Sequence, residues 1–306
     1  MHRRTFLLAA VATPSLLALL AGCGDPGVDP GDTTPGTGSV PPSSSGTPES
    51  SPTQQIAYPT GAGDIVVRVA RVGGFVPAGA AFVEVPDLLI TGDGRLFQPG
   101  VQTMQFPGPL LPAISLGSIT PTGIGRLLAV AQANELLSEP VPEYVPDARV
   151  ADAPATVVEL QAGGVHVTHA ADALGLAADV DGDPAKEISP ARARLLTFVE
   201  AAGDLVATVG ADELGPTDIW RPTAFRIQAT TAEPPTTGTT DGEPGPTIVA
   251  WPAGTGVRLA DAADCAIGTG DVLAATLGEA TTLTFFTDDG ITYQVSAVGQ
   301  LPGTGC

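Results

Sequence analysis

Three glycine-bearing turns, Gly92-Asp93-Gly94, Gly163-Gly164 and Asp288-Asp289-Gly290, each stand between two runs that read as strands. They constrain the fold more than any other feature, because a strand that returns through so short a turn can only pair antiparallel with the strand before it. The flanking runs are FVEVPDLLITGDGRLFQP from Phe82, ATVVELQAGGVHVTHA from Ala155, and TTLTFF followed by ITYQVSAV from Thr281. Further strands are expected over IVVRVARV after Asp64, over AISLGSI from Ala113 and over TAFRIQAT from Thr223, on their alternation and β-branched content.

Two helices are announced by the same local signal. Thr120-Pro121 and Ser189-Pro190 each place a capping hydroxyl before a proline in the first turn, where the missing N–H costs nothing. Ile124, Leu127, Leu128, Ala131 and Leu136 form an apolar stripe behind the first, and Leu195, Leu196, Val199 and Ala202 behind the second. A third, short helix is expected over 271–277. Hairpins alternating with helices predict an α+β fold: antiparallel hairpins with two main helices packed on the sheet, plus a small C-terminal helix–hairpin segment pinned by a disulfide. The expected division is a main α+β domain over 55–232, a Pro/Gly-rich linker or loop over 233–246, and a C-terminal segment over 247–306.

Ahead of the folded part lies MHRRTFLLAAVATPSLLALLAGC. Arg3 and Arg4 make a positive start, an apolar stretch follows, and small residues precede Cys23, which is the layout of an export signal over 1–22. Leu20-Ala21-Gly22-Cys23 resembles the lipobox of bacterial lipoproteins, in which the cysteine thiol is lipidated and the signal is cut before it. The resemblance implies lipidation at Cys23 and a location on the outer face of the cytoplasmic membrane. Two or more acyl chains, at about 0.8 kcal/mol per buried CH₂, hold a protein there stably. The paired arginines fit either twin-arginine export or the general secretory route.

Residues 24–54 are Gly, Pro, Ser, Thr and Asp with almost no large apolar side chain. With Cys23 they make the expected 23–54 segment, a disordered tether with a typical end-to-end distance of about 30 Å. The formal net charge of −20 becomes more negative when Arg3 and Arg4 leave with the signal. So acidic a body repels phosphate backbones, which excludes nucleic acid as a partner. Once Cys23 carries lipid, Cys265 and Cys306 remain, and two cysteines in an exported domain most simply pair with each other. Closing a loop of about 40 residues is worth roughly 4 kcal/mol in the chain-entropy model.

Several stretches together resemble a family of uncharacterised envelope lipoproteins from high-GC Gram-positive bacteria. They are PDLLITGDGRL from Pro86, TPTGIGRLLAVAQANELL from Thr120, VADAPATVVELQAGGVHVTHAADALG from Val150, and the late Cys265 with the terminal Cys306. Ala151-Asp152-Ala153-Pro154 stands where that family has Thr-Asp-Ala-Pro. The resemblance implies fold and location, not an activity.

Chemistry-bearing motifs are sparse. There is no GxSxG, SxxK, HExxH or GxGxxG, and no catalytic residue is assigned. His166 and His169 lie three apart in a run that reads as strand, so they point to opposite faces and cannot form a pair. Trp251 and Trp220 read as core or anchoring aromatics. The one candidate metal site is DVDGDPAKE from Asp179: Asp179, Asp181, Asp183 and Glu187 fall at positions 1, 3, 5 and 9 of a calcium loop. Pro184 and Pro190 stand where that loop needs a glycine and a bidentate glutamate, and the competing reading is an acidic turn leading into the second helix. No cofactor other than Ca²⁺ is implied.

The sequence thus predicts a membrane-anchored extracytoplasmic lipoprotein, a non-catalytic module that binds an envelope protein or a cell-wall component. The alternatives are a lipid-anchored hydrolase whose catalytic residues are scattered along the chain, and a calcium-dependent module using Asp179, Asp181 and Asp183.

Overall fold

The computed structural model describes residues 55–77, 79–146, 150–176, 189–235 and 244–306. Cys23, the tether and the acidic loop containing Asp179, Asp181, Asp183 and Glu187 lie outside the described residues, as do 236–243 of the expected linker.

The chain runs β1 (Ile65–Val72), β2 (Leu88–Thr91), β3 (Arg95–Pro99), β4 (Ile114–Ser118), α1 (Pro121–Ala133), β5 (Ala155–Ala162), β6 (Val165–Asp172), α2 (Pro190–Gly203), α3 (Leu205–Val209) and β7 (Asp218–Ile219). It continues through β8 (Ala224–Thr231), β9 (Thr247–Ala250), β10 (Ala266–Thr269), α4 (Asp271–Glu279), β11 (Thr284–Asp288) and β12 (Ile291–Gly299). The fold is α+β.

A seven-stranded sheet has the order β6-β5-β1-β2-β3-β4-β7, and every neighbouring pair is antiparallel. The expected hairpins form across Gly92–Gly94 and across Gly163 and Gly164. Both of the latter glycines have positive φ, 64° and 83°, which a two-residue turn of this hand requires and side chains resist. Both helix starts are capped as the sequence indicates: Thr120 Oγ1 accepts from the Gly123 amide at 3.1 Å, and Ser189 Oγ accepts from the Arg192 amide at 3.4 Å. The apolar stripes of α1 and α2, with α3, cover one face of this sheet. Ile124, Leu127, Leu128, Leu195 and Phe198 are buried against Val67, Ile90, Val158 and Leu160.

A second sheet has the order β10-β8-β12-β11-β9. Its pairs are antiparallel except β9 with β11, which run parallel. The helix, hairpin and disulfide expected in 247–306 are all present, and β8 completes their sheet from the other side of 233–246. That stretch connects two strands of one sheet. The Cys265–Cys306 disulfide, Cα atoms 5.3 Å apart, ties the chain end to the start of β10. Phe225, Ile227, Leu273, Phe286 and Val295 make this sheet's own core. Trp251 belongs to it: its Nε1 donates to the Val257 carbonyl at 2.9 Å and its ring meets Phe286 edge-on at 5.3 Å.

The two sheets share a third cluster. Leu89, Phe97 and Ile114 project from the helix-free face of the first sheet onto Val298 and Leu301, with Trp220 edge-on to Phe97 at 5.3 Å. That contact covers the β2–β4 half of the face. The outer half, on β5 and β6, carries Glu159, His166, Thr168 and Ala170, of which the three on β6 are exposed.

Candidate functional site

One end of the seven-stranded sheet carries the β2–β3 turn, the β5–β6 turn, the exit of β4 and the start of α1. The segment 55–60 crosses this end as a strap. The Gly163 amide holds it by donating to the Ala57 carbonyl at 2.7 Å, and just beyond the strap the Gly92 amide donates to the Asp64 carbonyl at 2.9 Å. Arg95 adds a bond to the Ala62 carbonyl. Gly92 is required here by close approach, since a side chain would collide with the backbone of Pro59 and Thr60.

Two cavities flank the strap. The first, of about 630 Å³, is bounded by Ile56, Ile119 and Ile124, with Tyr58, Thr60 and Asp93 as polar neighbours. The second, of about 350 Å³, lies between Tyr58 and the β5–β6 turn and reaches His166. Tyr58 borders both, and burial raises its phenol pKa. Both are open to solvent, with apolar walls and a few polar groups at their rims.

Two carboxylates at this end of the sheet, Asp93 and Glu213, are engaged by neighbouring side chains. Burial pushes the Asp93 carboxyl up, but hydrogen bonds from Thr91 and Arg95 and the Arg95 charge outweigh it, so the acid is held below the usual carboxylate range. Arg95 Nε meets Asp93 Oδ2 at 3.0 Å. Behind the cavity, the Thr120 hydroxyl donates to the Glu213 carboxylate while accepting from Gly123. Arg126 reaches the other Glu213 oxygen at 3.3 Å and the Val209 carbonyl. The Thr120 amide also donates to the Glu213 carbonyl at 2.9 Å. This nearly buried acid therefore locks the start of α1 against the turn after α3, which is a structural use of a carboxylate.

The histidines separate as strand geometry demands. His166 is exposed, and its Nε2 donates to Glu159 at 2.8 Å. His169 is fully buried. Its Nε2 donates to the Leu136 carbonyl at 2.9 Å, so Nδ1 is the acceptor of the Tyr144 hydroxyl at 2.7 Å. Burial lowers the His169 pKa, with the bond to Leu136 opposing. Burial pushes the Tyr144 phenol up to about 12, against the pull of Arg194. The pair joins α1's exit, the 137–146 segment and β6.

Sequence reading identified neither the strap nor the Tyr144–His169 pair. Gly92 was legible as a turn residue, but nothing local signals that Pro59 and Thr60 pack on it. Among the described residues, no three His, Cys, Asp or Glu side chains converge to hold a metal ion, and no helix is long and apolar enough to cross a membrane. No family model, curated protein or solved structure matches the chain.

Proposed function

We propose that the protein is a lipoprotein anchored by Cys23 to the outer face of the cytoplasmic membrane, with residues 55–306 acting as a non-catalytic binding module for an envelope protein or wall component. The observation that carries this reading is Leu20-Ala21-Gly22-Cys23, standing directly after an apolar run and directly before a polar tether. The Cys265–Cys306 disulfide supports it, because such bonds persist in oxidising compartments outside the cytoplasm. The strap makes the two cavities the module's favoured binding surface: a ligand there contacts the segment that leads directly to the tether.

The test is metabolic labelling with a radioactive fatty acid in cells expressing the full chain. Label on the wild-type protein and none on Cys23→Ser, with the variant released from the membrane fraction, is the expected result. An unlabelled wild-type protein would overturn the anchor and the location together.

A further inference from the structure

We infer that β6 is a self-association edge, through which two copies of this chain pair antiparallel into one continuous sheet. The argument begins with hydrogen-bond phase. A two-residue turn makes Ala162 and Val165 a hydrogen-bonded pair, and such pairs recur every second residue: Leu160 with Val167, Val158 with His169, Thr156 with Ala171. The Ala173 amide donating to Pro154 at 3.1 Å continues the same phase. The N–H and C=O groups of His166, Thr168, Ala170 and Asp172 therefore point away from β5. Arg192 Nη2 donates to the outward Asp172 carbonyl at 2.9 Å, as that phase requires. Among the described residues, nothing bonds to the outward backbone of His166, Thr168 or Ala170.

Exposed edges of this kind are normally blunted, because a row of unpaired amides templates further pairing. The other three edges here are blunted. β7 is two residues long between Pro216 and Pro222; β9 is four residues between Pro246 and Pro252; β10 is four residues beginning beside a disulfide. β6 has eight residues in unbroken register with β5, no proline, no lysine and no bulge.

A second copy fits this edge on charge and on hydrogen-bond phase. The chain carries −20 overall, so most of its surface repels its own kind. β6 holds one acid, Asp172, at its end, and Glu159 on the neighbouring strand accepts a hydrogen bond from His166 at 2.8 Å. A two-fold axis at Thr168 pairs Thr168 with its own copy and His166 with Ala170, each pair exchanging two hydrogen bonds. Thr–Thr cross-strand pairs are favourable, and no like charges stand opposite one another. Asp172 falls opposite Gly164, away from any acid. The inference does not depend on lipidation at Cys23, although confinement to one membrane would raise the encounter rate.

The test uses the full chain. In intact cells, Thr168→Cys should form an intermolecular disulfide with itself, while Ala275→Cys on the exposed face of α4 should not. In sedimentation of the purified chain, the wild type should dimerise. Thr168→Pro should weaken the dimer at least about tenfold with native melting preserved, because the lost N–H lies outside the β5–β6 ladder. Thr168→Lys serves the same purpose where proline compromises folding. A monomeric wild type with no excess of Thr168→Cys crosslinking over Ala275→Cys would overturn the inference. So would a dimer that survives both substitutions, or a Thr168→Cys crosslink made only to a different protein.

Discussion

The two sheets reach their stability by different means. The first lays two full helices and a third short one across seven strands, and buries a continuous apolar layer from Val67 and Val158 to Phe198. The second has five strands, one nine-residue helix and a smaller core, and adds a covalent tie between β10 and the chain end. A layer with helices enough to cover its sheet needs no cross-link. One with a single short helix gains from a bond that restricts the unfolded chain, as small cores generally do. The shared cluster of Leu89, Phe97, Val298 and Leu301 couples the two, so the comparison can be broken by asking whether damage to one sheet stays there.

The largest effect is expected from the disulfide. Replacing Cys265 and Cys306 by serine opens a loop spanning a separation of 41 residues and should lower stability by about 4 kcal/mol. Native-state hydrogen exchange locates the loss. Amides of β8 and β10 should exchange faster, while those of β1 and β5 hold their protection. Equal acceleration in both sheets would mean that they unfold as one cooperative unit, and the contrast drawn above would fail.

A second contrast lies within the first sheet, between the two histidines of β6. His169 is buried neutral with both ring nitrogens engaged, and its pKa lies below the ordinary value. The unfolded chain therefore binds a proton that the native protein resists. The stability conferred is fully present above the unfolded pKa of about 6.5 and is lost as pH falls through the lower folded value. Urea titrations between pH 7 and pH 5 should show stability falling in the wild type and falling less in His169→Gln. Tyr144→Phe should cost about 1–3 kcal/mol at neutral pH by stranding Nδ1 as an unsatisfied buried acceptor. An identical pH slope in His169→Gln would assign the acid sensitivity to other groups.

What was legible in the sequence was local. Gly163-Gly164 specified a turn whose geometry depends on those two residues alone, and Thr120-Pro121 specified a helix start through a bond three residues long. Strands β7 and β9 carry no such signal, being two and four residues long, and exist because β4 and β11 offer them edges from distant sequence. The cavities were illegible for the same reason: the strap meets Gly92 and Gly163 across about 35 and about 105 residues of chain. The opposite orientation of His166 and His169 followed from strand period, whereas the partnership of His169 with Tyr144 depends on a loop path that no pattern encodes.

The smallest expected effect separates the two helix caps, which look alike in sequence. Ser189 caps α2 through a 3.4 Å bond to the Arg192 amide, and a cap of this type is worth about 1 kcal/mol. Thr120 caps α1 and also donates to the carboxylate of Glu213, which in turn holds Arg126. Its removal leaves a nearly buried acid short of one donor, a further cost of about 1 kcal/mol. Thr120→Ala should therefore cost about 1 kcal/mol more than the loss of a cap alone in denaturant unfolding at pH 7, and Thr120→Ser should restore most of that loss. A loss no larger than a cap's would show that Glu213 gains nothing from the hydroxyl. The start of α1 would then be held by its cap, by the Thr120–Glu213 backbone bond and by Arg126 on Glu213 and Val209, and the wall of the larger cavity would owe its shape to those contacts rather than to the bond between hydroxyl and carboxylate.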